Sequence, residues 1–89
     1  MKAYRQPDGS IALFRPTANA KRFANSAKRL ALPEMPVELF METIEALVTQ
    51  DAGWVPSKVG ESLYIRPFMI ATEVGLGVRP TNKATYILI

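Results

Sequence analysis

Residues Ser62 to Val78 read SLYIRPFMIATEVGLGV, and the fold depends on how that stretch pairs. From Ser62 to Thr72 it is rich in β-branched and aromatic residues. A two-residue alternation puts Leu63, Ile65, Pro67 and Met69 on one face and Tyr64, Arg66, Phe68 and Ile70 on the other. Neither face is plainly polar, so a central strand covered on both sides is expected, with Arg66 among apolar neighbours. An unpaired guanidinium in such a place costs several kcal/mol and therefore calls for an anion. Tyr64 lies about 6.6 Å away along the same face and offers its hydroxyl to the same anion. Two readings follow from the spacing: a clamp for a ligand carboxylate, or an internal Arg–Glu ion pair beside a core tyrosine.

Upstream, KAYRQPDGSIALFR is two short extended runs separated by Gln6-Pro7-Asp8-Gly9, a turn sequence, and predicts a β-hairpin whose first strand, starting at Met1, lies at an edge. Thr17 is the expected N-cap of a helix from Ala18 to about Leu30. Ala20, Phe23, Ala27 and Leu30 form its apolar stripe, flanked by Lys21, Arg22, Lys28 and Arg29. Arg22, in the second turn, marks either a phosphate site near the positive end of the helix or part of a solvated basic face. Leu32-Pro33 ends that helix. A second begins with Pro36 in its first turn, carries Val37, Phe40, Met41, Ile44, Leu47 and Val48 on one face and Glu38, Glu42 and Glu45 opposite, and stops at Gly53. Trp54-Val55-Pro56 is expected to fold back as an apolar anchor over the helix end.

Ser57 to Glu61 is a loop. After the strand, Glu73 to Asn82 contains Gly75, Gly77 and Pro80 and is expected to be a turn-rich connection with Leu76 and Val78 exposed at its tip. Those glycines lack the spacing and the following helix of a phosphate-binding loop. Ala84 to Ile89 is a strongly apolar strand that leaves an unpaired edge, from which self-association is expected. Both ends of the chain read as truncated.

The composition narrows the chemistry. At 89 residues the chain suits one domain with a small core. With 48% hydrophobic and 21% charged residues it has the balance of a folded chain. No run is apolar enough to span a membrane and no secretion signal is visible, which makes a cytoplasmic location the expectation. Cysteine and histidine are both absent, which removes thiol chemistry, most zinc sites and the commonest general base. A net charge of +3 is too small to argue for nucleic acid.

Three segments, KAYRQPDGSIALFRPTANAKRFANSAKRLALP, then WVP, then SLYIRPFMIATEVGLGVRP, resemble in order and spacing the N-terminal small domain of the branched-chain amino acid aminotransferases, fold-type IV pyridoxal-phosphate enzymes, and most closely the bacterial forms. The resemblance covers nearly the whole chain, with SLYIRP followed by GLGV as its specific signature. It implies an α+β fold, an antiparallel sheet with two helices packed on it, incomplete at both ends, with residues 1–89 forming part of the small domain. It also implies that Arg22 binds the phosphate of pyridoxal 5'-phosphate, and that Tyr64 and Arg66 line the substrate pocket with Arg66 near the carboxylate. Leu76 and Val78 would reach the apolar side-chain pocket of the neighbouring subunit in a homodimer. The substrates implied are branched-chain amino acids and 2-oxo acids.

The departures bear on activity. The family holds its cofactor covalently on a lysine of a large C-terminal domain, and Lys2, Lys21, Lys28, Lys58 and Lys83 do not sit in that motif. A short F-E-G segment that precedes the first strand in the family is also missing. No catalytic residue is therefore expected among these 89, and these residues alone should not transaminate. The alternatives are another fold-type IV enzyme, such as a D-amino-acid aminotransferase or a lyase, a small module whose basic helix meets nucleic acid, and a plain structural domain.

Overall fold

The structure, a computed structural model, describes residues 1–89 as an elongated α+β molecule, 50 × 21 × 20 Å. In chain order the elements are β1 (Lys2–Arg5), β2 (Ile11–Leu13), α1 (Pro16–Arg29), α2 (Val37–Gln50), a 3₁₀ turn (Ala52–Trp54), β3 (Leu63–Tyr64), β4 (Pro67–Ala71) and β5 (Ala84–Leu88). They form a three-stranded antiparallel sheet, ordered β2-β1-β3, and a two-stranded antiparallel ribbon, β4-β5. Neither helix is long and apolar enough to cross a membrane.

The decisive stretch serves both sheets in succession. Ile65 exchanges backbone hydrogen bonds with Met1, at 2.8 and 3.1 Å, whereas Arg66 exchanges them with Ile89, at 2.7 and 3.2 Å. Successive residues of a strand point their amides to opposite edges, so the switch of partner falls between Ile65 and Arg66 without a break in the chain. The single central strand is thus divided between two sheets, and the first strand, expected at an edge, is the middle one of three. One face is better covered than the other: Ile65 is buried and Leu63, Pro67 and Met69 are half-buried, while on the other face Tyr64, Arg66 and Ile70 are exposed and Phe68 is half-buried. Arg66 therefore does not lie among apolar neighbours.

The hairpin forms as expected. Gly9, at φ 89°, supplies the turn conformation that other residues resist, and the Asp8 carboxylate accepts from the Ser10 amide at 2.9 Å and hydroxyl at 2.6 Å. Hydrogen bonding to Ser10 stabilises the ionised form and lowers the Asp8 pKa from its ordinary 3.8. Arg5 ties this turn to the 3₁₀ segment, donating to the carbonyls of Gly9 (3.0 Å), Ala52 (2.6 Å) and Val55 (3.2 Å).

Helix α1 starts earlier than Thr17 implied. Arg15, in the left-handed region at φ 47°, is the N-cap, and Pro16 takes the first helical position, where its missing N–H costs nothing. At the other end Ala31 is also left-handed, at φ 55°. The Leu32 amide bonds the Ala27 carbonyl at 2.8 Å and the Ala31 amide bonds Lys28 at 3.1 Å, a Schellman closure. Leu30, at the C-cap, leaves the apolar stripe and is exposed. In α2 the apolar face lies inward as the periodicity predicts, with Phe40, Ile44 and Val48 buried and all three glutamates exposed. Gln50 ends the helix before Gly53, and Val55, 3% exposed, is the apolar anchor; Trp54 stays on the surface.

The core is small: eight buried residues, Ala3, Ala20, Met35, Phe40, Ile44, Val48, Val55 and Ile65, form one cluster. Three aromatic rings join the layers: Phe23 of α1 lies 5.4 Å from Phe40 of α2 and meets Tyr86 of β5 edge-on at 5.6 Å.

Candidate functional site

Arg22, Tyr64 and Arg66 line one small cleft of about 130 Å³, together with Met1, Asn19, Phe23, Ile65 and Pro67. Each is placed by a different element. Arg22 projects from the second turn of α1, one turn after Asn19, whose side-chain oxygen accepts from Arg22 Nη2 at 3.1 Å. Asn19 is itself oriented by donating Nδ2–H to the Arg15 carbonyl at 3.0 Å. Tyr64 ends β3, and Arg66 follows the buried Ile65 that fixes the strand's register, so both side chains leave on the same outward face. The Arg66 guanidinium stacks over the Tyr64 ring, 5.3 Å from its centroid.

The electrostatics of the cleft are one-sided. Neither Arg22 nor Arg66 has a carboxylate within ion-pair distance; the two ion pairs in the molecule are Lys58 with Glu61 and Arg79 with Glu73. The internal Arg–Glu reading of Arg66 is thereby overturned. Burial, followed by the charges of Arg22 and Lys2, lowers the pKa of the Met1 α-ammonium below the ordinary 8.0. A cleft edged by two unpaired guanidiniums, with most of their N–H groups uncommitted, is complementary to a phosphate or carboxylate.

A larger open groove, about 700 Å³, runs between the hairpin turn and residues 57–61. It offers no comparable convergence, because Arg5 is committed to three carbonyls and Lys58 faces Glu61. No group of acidic residues is placed to hold a metal ion. Leu76 and Val78 take no part in the cleft. They stand on the connection between β4 and β5 with side chains fully exposed, as their glycine-rich setting implied. Asn19 and Phe23 are cleft residues that sequence reasoning did not single out for chemistry. The Asn-x-x-Arg spacing on one helix face is the signal that could have found the former.

Sequence comparison gives this geometry its context. Over the full chain the protein is 61% identical to a protein of Streptomyces coelicolor named "Probable branched-chain-amino-acid aminotransferase". All 89 residues are homologous to branched-chain-amino-acid aminotransferases. The identity is 59% to the branched-chain-amino-acid aminotransferase of Mycolicibacterium smegmatis and 45% to branched-chain-amino-acid transaminase 1 of Bacillus subtilis, again over the whole chain. The chain spans about a quarter of the length of these curated relatives: 25%, 24% and 25%. No protein-family model matches it. The α+β fold expected from the resemblance to these aminotransferases is the one observed, as two small antiparallel sheets instead of one.

Proposed function

We propose that these residues are part of the N-terminal small domain of a pyridoxal-phosphate-dependent branched-chain aminotransferase, which transfers the amino group of valine, leucine or isoleucine to 2-oxoglutarate and works as a cytoplasmic homodimer. The observation that carries the reading is the convergence of Arg22, Tyr64 and Arg66, from α1, β3 and the residue before β4, on one cleft without a counter-ion. Full-length identity of 45 to 61% to proteins named for that reaction supports it.

The roles follow from donor chemistry. Arg22, with Asn19 holding one of its N–H groups, presents the rest of a planar fork suited to the cofactor's phosphate. Arg66 takes the substrate carboxylate. The Tyr64 ring beneath it limits where the guanidinium points, and the phenolic hydroxyl adds a donor. Leu76 and Val78 bury the aliphatic side chain of a substrate bound in the neighbouring subunit, a contact worth about 1.5–3 kcal/mol for a fully buried side chain. Pyridoxal phosphate supplies the electron sink for amino-group exchange when bound. The lysine that holds it belongs to the remaining three quarters of the polypeptide. This chain binds and orients.

The test is made on the complete polypeptide from its native source. A mass about four times that of this chain, an absorbance band of bound pyridoxal phosphate and transamination of leucine are expected. Arg22→Gln in that protein should weaken cofactor binding about 10- to 100-fold, the value of a lost charge-assisted hydrogen bond. A protein without the band and without transamination overturns the reading.

A further inference from the structure

We infer that Glu73 is a positioning residue: it clamps the base of the loop that carries Leu76 and Val78, and so sets discrimination by substrate side-chain size. This rests on the function proposed above. The loop joins β4 to β5, and its base is closed by the Thr72 amide on the Lys83 carbonyl at 3.0 Å. Just inside that closure Glu73 turns toward the other limb. Its Oε2 accepts the Asn82 amide at 2.9 Å, and its Oε1 lies 4.0 Å from Arg79 Nη1. The Thr81 hydroxyl has one hydrogen to give. It donates to the Lys83 carbonyl at 2.7 Å, with Glu73 Oε2, at 3.3 Å, as the alternative acceptor. Arg79 then reaches back across the loop and donates from Nη2 to the Val74 carbonyl at 3.1 Å. Gly75 leaves room for that crossing, since a Cβ there would run into the Arg79 guanidinium.

Three features make this more than an incidental surface contact. Glu73 carries the sole carboxylate side chain among residues 62–89, so no nearby acid can replace it. It ties both limbs of the loop, by a charge-assisted bond to a backbone amide and an ion pair. And the side chains of Leu76 and Val78 are fully exposed, so packing does not fix them and their placement depends on the backbone that Glu73 holds. A loop fixed before it meets its ligand loses less freedom on binding, and an aliphatic side chain is recognised where such residues stand ready to bury it.

The experiment compares Glu73→Ala and Glu73→Gln in the complete protein. Gln keeps an acceptor for the Asn82 amide and loses the ion pair. The readout is kcat/KM for leucine and for alanine, whose methyl group reaches little of the loop. Glu73→Ala should lower the leucine-to-alanine ratio about tenfold, mainly through KM for leucine, and Glu73→Gln should recover part of it. A ratio unchanged in both variants overturns the inference. Amide hydrogen exchange of Thr72, whose amide closes the loop base on the Lys83 carbonyl, reads the clamp in the complete protein independently of activity. Faster exchange in Glu73→Ala supports the clamp, and unchanged exchange overturns it. If the unsubstituted complete protein does not transaminate leucine, the functional reading fails and takes the specificity role with it, while the exchange result still decides the clamp.

Discussion

Replacing Tyr86 tests what holds the β4-β5 ribbon to the rest of the molecule. Its ring meets Phe23 edge-on at 5.6 Å and lies 6.2 Å from Phe40, and its hydroxyl is 3.1 Å from that of Thr43. Thr43 spends its own hydrogen on the Phe40 carbonyl at 2.7 Å, so Tyr86 must be the donor of this pair. Truncating a fully buried aromatic residue to alanine costs about 3–5 kcal/mol. Tyr86 is half-buried, which brings Tyr86→Ala to about 2–3 kcal/mol, aromatic contacts included. Tyr86→Phe keeps the ring and loses one hydrogen bond, while Thr43 remains satisfied by Phe40, so it should cost about 0.5–1 kcal/mol. For a chain of this size, with total stability on the order of 4–13 kcal/mol, Tyr86→Ala is a large fraction. Urea unfolding followed by far-ultraviolet circular dichroism should place its midpoint about 1–2 M below that of the unsubstituted chain. The phenol gives a second reading. Burial raises its pKa above the ordinary 10.0, so the neutral form is favoured in the folded state. The associated stability is present below pH 10 and is lost as pH rises through the folded pKa. Equal midpoints for Tyr86→Ala and Tyr86→Phe would refute the claim that ring packing, more than the hydroxyl, joins ribbon to helices.

Two further outcomes follow from the backbone and the hairpin. Ala31→Gly, at the left-handed residue that closes α1, should stabilise the chain by about 0.5–1 kcal/mol, measured by the same urea titration, because glycine adopts φ 55° without the Cβ penalty. The Asp8 carboxyl should titrate below its ordinary 3.8 by nuclear magnetic resonance and return toward it in Ser10→Ala. Its contribution to stability is present above the unfolded pKa and lost as pH falls through the folded one.

What could be read from the sequence was local. The periodicity of α2 told its inward face residue by residue, and the Pro-Asp-Gly turn told the hairpin, because both are set by neighbours a few positions apart. Helix ends were read less well: Thr17 looked like a cap, yet the conformation of Arg15 and the position of Pro16 decided the start, and neither involves a side-chain hydrogen bond. Within Trp54-Val55-Pro56, expected to anchor the helix end, the smaller Val55 fills that place while Trp54 is exposed, because Val55 leaves the 3₁₀ turn on its inward side. The strand was misplaced for a different reason. Apolar residues on both faces say that a strand has much to bury, and they do not say which strand lies at either edge. In the cleft, the strand spacing puts Tyr64 and Arg66 side by side, whereas no spacing brings Arg22 to them, because that juxtaposition joins residues about forty positions apart.

The partner switch between Ile65 and Arg66 also accounts for the order of residues in the cleft. Amides alternate between edges, so the nitrogen of Pro67 falls on the same edge as that of Ile65, the edge along which β1 runs. Among these 89 residues no strand accepts a bond from position 67, so a proline forfeits no bond to them, and its fixed φ holds the chain extended just after Arg66. The same alternation sends Tyr64 and Arg66 outward together while Ile65, between them, is buried in the core. Inserting one residue between Tyr64 and Arg66 would put the two side chains on opposite faces and break the stacked pair, even if every hydrogen bond of the ribbon survived. The stacked placement of Tyr64 and Arg66 is thus a consequence of register, held by one buried isoleucine and by the two backbone pairs on either side of the switch.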